Sequence, residues 1–335
     1  MRKDIVYLTE AEANIDVGSL HVPQAITNMS VGYRNSAYVA ELVAPIIPAP
    51  KLTDVYYVFG KEKFRPYDDN YIPGVTPGEI GWSLSTAPYV CTGHAVRGWY
   101  PSMAPSAADE VVDLDPETTL NVSEAILLKQ ELNLRAALIA GLSPTSMLAA
   151  GVNFDNPAFD PVPWIDEQKE IVARQIGQRP NCMLLGRPAW RALRNNQNFL
   201  KHIAVGNLSF NILPGLQISN AQAAEKLELD EVLVGEAMYD TAPLGEVPNL
   251  QYIWDEYVLL YYRAPAPGRR TVSLAYTFLF TGGIQGQLMR KWYDQDKYRQ
   301  VIDGMKFYCQ QVIAAGAGVM YSNALSSTDV PPGEV

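Results

Sequence analysis

The chain has 335 residues, 48% of them hydrophobic, which is material for one large or two modest cores. Its 26 Lys and Arg against 36 Asp and Glu leave a net charge of −10, and no basic tail or run supplies the clustered cations that neutralise phosphate, which argues against wrapping nucleic acid by charge. The three cysteines, Cys91, Cys182 and Cys309, are too widely spaced for a disulfide framework or a metal-ligand pattern, Met1–Asp4 leads into no apolar signal core, and no apolar run approaches the ~20 residues of a membrane span.

Residues 1–50 alternate short apolar pieces with turn residues and end in the stiff stretch Pro45-Ile46-Ile47-Pro48-Ala49-Pro50, which reads as an extended arm. Asp54–Pro101 reads as a ribbon. Its ends, Val55–Phe59 and Tyr89–Val96, are β-branched and aromatic, and its middle is broken at Pro73-Gly74, Pro77-Gly78 and Gly81. The middle is polar and Tyr-rich, with too few aliphatic residues to bury a core, so the ribbon needs another surface to lie on.

Asp115 as N-cap, Pro116 at the first helical position and Gly141 as the stop predict a long helix over 115–141. At about 100° per residue Leu120, Leu127, Leu134 and Leu138 form one apolar stripe, and Leu128, Leu132 and Ile139 a second, with Glu124 and a Glu131–Arg135 pair between them. Leu127→Asp is therefore expected to damage folding. A second helix is predicted over Trp164–Ile176 with Gly177 as its stop, a short buried strand over Asn181–Leu185, and a further helix over Pro188–Phe199 with Trp190, Leu193 and Phe199 in the core. Strands are expected over Leu227–Val234, Leu250–Tyr262 and Thr271–Phe280. Gln287–Tyr293 and Met305–Ile313 read as a pair around the turn at Asp294–Arg299. The fold class is α+β, with helices in the middle and strands late.

Candidate chemistry is sparse. Cys91-Thr92-Gly93-His94 sets a thiol and an imidazole three residues apart, the pattern of a nucleophile and its base, but on a ribbon poorly suited to hold catalytic geometry. The reading is a packed cysteine and a surface histidine. His21, His94 and His202 are too scattered for zinc, and Thr281–Gly286 lacks both the first glycine and the following helix of a dinucleotide loop. No catalytic residue, cofactor site or metal site is assigned.

Several segments together resemble tailed-bacteriophage major capsid proteins. They are Pro45–Lys51 followed by Tyr56-Tyr57-Val58-Phe59-Gly60-Lys61-Glu62-Lys63-Phe64-Arg65, then Trp254–Arg263 with Ala264-Pro265-Ala266-Pro267-Gly268, then Arg290-Lys291-Trp292-Tyr293-Asp294 with Tyr308–Tyr321. The resemblance implies a Hong Kong 97-like capsid fold: an N-terminal arm (1–52), an extended β-hairpin loop (53–101), a peripheral domain (102–177 and 251–308) carrying a spine helix (115–141), and an axial domain (178–250 and 309–335). It implies a non-enzymatic protein that assembles in the host bacterial cytoplasm, as hexamers and pentamers, into the icosahedral shell of a virion enclosing double-stranded DNA. A separate scaffolding protein, a portal and a decoration protein are possible partners, with no membrane and no cofactor. Tyr56, Tyr57, Phe59, Lys61, Lys63, Phe64, Arg65, Tyr67, Tyr71 and Trp82 are the candidate intersubunit contacts. The alternatives are an encapsulin-type nanocompartment shell and, from another class, a cytosolic α+β enzyme using Cys91 and His94.

Overall fold

The structure is a computed structural model that describes residues 35, 38–67, 69, 79–81, 83–103, 114–148, 151–204, 218–243, 245–268, 271–282 and 287–326. A short helix α1 (Ala40–Val43) leads into β1 (Ile46–Ala49), so the proline-rich arm end is extended as expected. β2 (Thr53–Phe59) and β3 (Leu84–Val90) form a two-stranded ribbon, and β4 (Thr92–Pro101) follows after Cys91 alone. The long helix α2 (Leu114–Leu142) is followed by β5 (Thr145–Ser146), α3 (Pro161–Ile176), β6 (Cys182–Gly186), α4 (Arg187–Asn195), α5 (Gln197–Ala204) and α6 (Asn220–Lys226). The remaining strands are β7 (Glu231–Gly235), β8 (Met238–Asp240), β9 (Leu250–Tyr252), β10 (Val258–Tyr261), β11 (Ala275–Phe280), β12 (Gln287–Asp294), β13 (Arg299–Val312) and β14 (Gly318–Ser322).

Two sheets organise these elements. The first runs β1-β11-β13-β12, with β4 lying along β13; the second runs β5-β14-β10-β6-β7. The predicted late hairpin forms with a shifted second strand: Gln287–Asp294 pairs with Arg299–Lys306, while most of the expected partner Met305–Ile313 lies beyond it and pairs with β11. Two further expectations are corrected here. The tail of the ribbon, Thr92–Pro101, leaves it and pairs with β13 from Tyr308 to Arg299. The strand Val258–Tyr261, expected in the peripheral sheet, pairs instead with β6 and β14 in the second sheet. It is cut from Leu250–Tyr252 by a turn in which Asp255 takes a φ of 34°.

β6 is buried on both faces, which is why its sequence is an unbroken apolar run. Cys182 and Leu184 enter a core with Leu134 and Leu138 of α2, Val172 and Ile176 of α3, and Leu259 and Tyr261 of β10. Met183 and Leu185 face the opposite core, where Trp190, Leu193 and Phe199 pack with Ala223 and Ala224 of α6. The predicted single helix over 188–199 is split at Asn196, whose side-chain amide donates to the carbonyls of Phe154 and Phe159. The strand expected from Leu227 begins only at Glu231, because Leu227 closes α6 and Glu228 takes a positive φ of 50°. Helix α3 starts at Pro161, with the Asp160 carboxylate accepting from the Val162 amide, and stops at Gly177 with a φ of 75°.

Helix α2 keeps part of its predicted faces, since Leu134 and Leu138 are buried and Leu128, Leu132 and Ile139 pack against the same core, but it departs from them at Leu120 and Leu127. It already includes Leu114, so Asp115 lies in the first turn and not at the cap, and it passes through Gly141 to end at Leu142, with Ser143 at a φ of 48°. Its buried line is Val122, Ile126, Gln130, Leu134 and Leu138; Leu120 is exposed and Leu127 half-exposed. The reason is the approach to β4 and β13. A Cβ on Gly98 would lie 2.5 Å from Thr118 Cγ2, and one on Gly304 2.5 Å from Val122 Cγ1. Two glycines thus open the trough that receives the helix, and it turns Val122 rather than Leu120 toward the sheet.

Candidate assembly interface

The ribbon pairs Thr53 with Val90 through to Phe59 with Leu84, without interruption. Both strands carry apolar side chains that the chain itself leaves uncovered: Val55, Tyr57, Val58, Leu84 and Val90 are exposed, Tyr57 to 64%. A two-stranded hairpin is marginal alone in water, and this one lacks a covering layer over most of its length.

Its base is held. Tyr89 stacks on Phe278 of β11 with ring centroids 4.4 Å apart, Tyr56 lies 5.9 Å from the same ring, and Ala49, Cys91 and the partly buried Cys309 complete a small cluster on the first sheet. Tyr56 therefore anchors the ribbon within its own chain, whereas its neighbour Tyr57 points away. The far end is a 3₁₀ turn, Glu62–Phe64, where Ser83 donates to the Glu62 carboxylate. That hydrogen bond is the main cause that holds the Glu62 carboxyl below its ordinary pKa. Lys61, Lys63 and Arg65 are exposed around the turn, and the Tyr67 hydroxyl donates to the Gly81 carbonyl at 3.3 Å. Phe64 approaches Gly177, where a Cβ would come within 2.4 Å of its ring, yet it stays 66% exposed. Phe59 is half-buried, and Tyr71 and Trp82 lie outside the described residues.

The platform beneath is fixed by buried charge. Glu131, read from the sequence as half of an i,i+4 pair with Arg135, is fully buried and accepts hydrogen bonds from the Val39 and Ala40 amides and the Trp254 indole. Burial pushes its pKa up while these donors oppose that rise. Arg135 turns instead over the Tyr257 ring, 5.2 Å from its centroid. Asp303 of β13 is buried, taking Arg97 Nε of β4 at 2.7 Å, Arg290 of β12 at 3.0 Å and the Trp292 indole at 3.2 Å, so one carboxylate ties three strands together. Lys291 and Tyr100 both donate to Asp115, closing the first turn of α2 onto the same sheet.

The thiol and imidazole of the enzyme alternative do not meet. Cys91 is buried with its sulfur toward the Phe278 carbonyl, 3.6 Å away, and burial raises its pKa. His94 stacks on Tyr308 at 4.3 Å and contacts the Thr92 hydroxyl, and burial lowers its pKa. Among the described residues no group of three or more His, Cys, Asp or Glu could hold a metal ion, and no helix is long and apolar enough to cross a membrane. The β8–β9 hairpin, of which the sequence marked only the β9 strand, also presents exposed apolar residues, Val247 at 86% and Leu250 at 61%. Their exposure did not stand out in the sequence, since single exposed aliphatics carry no pattern.

A solved phage-related protein from Bordetella bronchiseptica superposes with a TM-score of 0.64 over 90% of this chain and 97% of its own, at 20% identity. The capsid of cyanophage P-SCSP1u superposes with a TM-score of 0.58 over 94% and 98%, at 9% identity. An encapsulin complex from Synechococcus elongatus follows at 0.50, over 89% and 94%, at 13% identity. The architecture is thus the Hong Kong 97-like fold of shell-forming proteins. No family model matches the sequence. Major capsid proteins do: that of Burkholderia phage BcepMu is 24% identical over 251 residues, 72% of this chain and 76% of the relative, and that of Pseudomonas phage JBD67 is 23% identical over 258 residues, 71% and 76%. By sequence and by fold, the chain is thus similar to phage major capsid proteins.

Proposed function

We propose that this chain is the repeating subunit of an icosahedral phage head, built from hexamers and pentamers and closed around double-stranded DNA. The observation that carries this reading is the ribbon. Its root is buried in its own subunit, while Val55, Tyr57, Leu84 and Val90 line one exposed face that no described residue covers, and Val58 is exposed on the other. An element anchored at one end and apolar along its length is made to lie on a neighbour. Tyr57, Lys61, Lys63, Phe64 and Arg65 are its contacts, with Phe59 and Tyr67 shaping the turn and Tyr71 and Trp82 continuing the same segment. Residues 1–52 form the arm. A peripheral unit comprises the first sheet and α2, and an axial unit comprises the second sheet with α4, α5 and α6. The protein performs no chemistry of its own, its place is the virion, and assembly occurs in the host cytoplasm, with a scaffolding protein, portal and decoration protein as separate chains.

Negative-stain microscopy of the chain expressed in a bacterium, alone and with the adjacent structural genes, tests this. Closed polyhedral particles are the expected outcome. Monomers under every condition would overturn it. Particles that hold cargo protein and never nucleic acid in an infected cell would favour the encapsulin reading.

A further inference from the structure

We propose that Cys91 and Cys309 form a dithiol site that a small-molecule disulfide such as oxidised glutathione converts to a cross-strand bridge at the root of the ribbon. In the antiparallel ladder of β4 and β13, Tyr308 stands opposite Thr92. The ladder ends at that pair; Cys309 and Cys91 are the next residues of the two segments, and continuing the register by one residue sets them opposite each other. Residues facing each other across antiparallel strands have Cα atoms about 4.5–5.5 Å apart and side chains on one face, within the span a disulfide closes. Beyond the ladder the two segments stay in contact, with the Gln311 side-chain amide reaching the Pro88 carbonyl. Both thiols sit in the cluster with Tyr89 and Phe278, and both are free.

The two positions differ in access, which orders the reaction. Cys309 is partly buried and Cys91 only 5% exposed. The Cys309 thiolate attacks the glutathione disulfide, forming a protein–glutathione bond and releasing one glutathione thiolate, which takes up a proton. The Cys91 thiolate then attacks the protein sulfur of that mixed disulfide, forming the Cys91–Cys309 bond and expelling the second glutathione. Two protein thiols are oxidised, and one oxidised glutathione is reduced to two thiols. Burial raises both protein thiols, so exchange is slow near neutral pH and quickens as the pH rises and thiolate accumulates. Cys182, pushed up to about 11 chiefly by burial, lies in another core and is the internal control. The bridge would tie the β3–β4 junction to β13 and fix the angle at which the ribbon leaves the subunit. The proposal stands apart from the capsid reading, since it concerns a single folded chain.

The experiment is a non-reducing peptide map of the purified chain after incubation with oxidised glutathione at pH 8. The expected product is an intrachain Cys91–Cys309 peptide, lighter by two hydrogen atoms than its reduced parts, with Cys182 still alkylatable. Cys91→Ser should stop at a glutathione adduct on Cys309, and Cys309→Ser should leave Cys91 unmodified. A persistent adduct on Cys309 in the unaltered chain, a link between two chains, or two unmodified thiols in the folded protein would each overturn the proposal. The unaltered chain decides this even where a serine variant fails to fold.

Discussion

Asp303 shows how one residue holds an interface that several strands share. Its carboxylate is buried, which alone would raise its pKa, but Arg97, Arg290 and the Trp292 indole donate to it and bring it below the ordinary aspartate value. A carboxyl depressed in the folded chain contributes stability that is present above its unfolded pKa of about 3.9 and is lost as pH falls through the lower folded value. Both arginines are half-exposed, so solvent screening keeps the contribution modest. Asp303→Asn is expected to cost about 1–2 kcal/mol at pH 7. In urea titrations the gap between variant and parent should narrow progressively below about pH 4. A gap independent of pH would assign the loss to packing and not to charge.

Helix α2 makes the corresponding argument at the scale of an element. Leu134 and Leu138 are fully buried between both sheets, so Leu134→Ala is expected to cost about 2–5 kcal/mol by chemical denaturation. Leu127, half-exposed and outside that core, should tolerate Asp far better than the apolar spacing alone implied. Gly304→Ala should cost about 1–3 kcal/mol, because the new methyl meets Val122 and Ile126 on a helix that cannot retreat without opening the core at Leu134. An unchanged unfolding midpoint in that variant would show the trough to be slack. These residues also mark where the sequence was readable. The helix, the fully buried β6 and the β12–β13 hairpin were legible, since each depends on local period, capping or turn chemistry. The face of the first half of α2 was not. It is set by Gly98 and Gly304 on distant strands and by Gln130 and Glu131, polar residues buried against Lys306 and Trp254. The ribbon was legible from its missing core, but its anchorage was not: Tyr56 and Tyr57 look alike in sequence, and only the placement of Phe278 separates the anchoring tyrosine from the outward one.

At the scale of the molecule, the proposed assembly role of the ribbon places stability and assembly in different residues. The two large cores close within one chain, and the core around Leu134 and Leu138 draws Leu274 and Ala275 from the first sheet together with Leu184 and Leu259 from the second. Folding therefore does not need the outward side chains of the ribbon. Replacing both Val55 and Tyr57 with Ser alters residues that are 47% and 64% exposed, for which surface substitutions cost roughly 0.5 kcal/mol or less. The unfolding midpoint of the soluble chain should stay within about two degrees of the parent. Particle formation should fall sharply, because the ribbon then offers a neighbour a polar strand in place of an apolar one. Tyr89→Ser supplies the contrast, since Tyr89 is 7% exposed and stacked on Phe278, so both the midpoint and assembly should drop. Microscopy beside thermal unfolding separates the two classes. Normal shells from the Val55/Tyr57 variant would remove the outward face of the ribbon from the intersubunit contacts and leave that role to its turn at Lys61–Arg65 or to the β8–β9 hairpin.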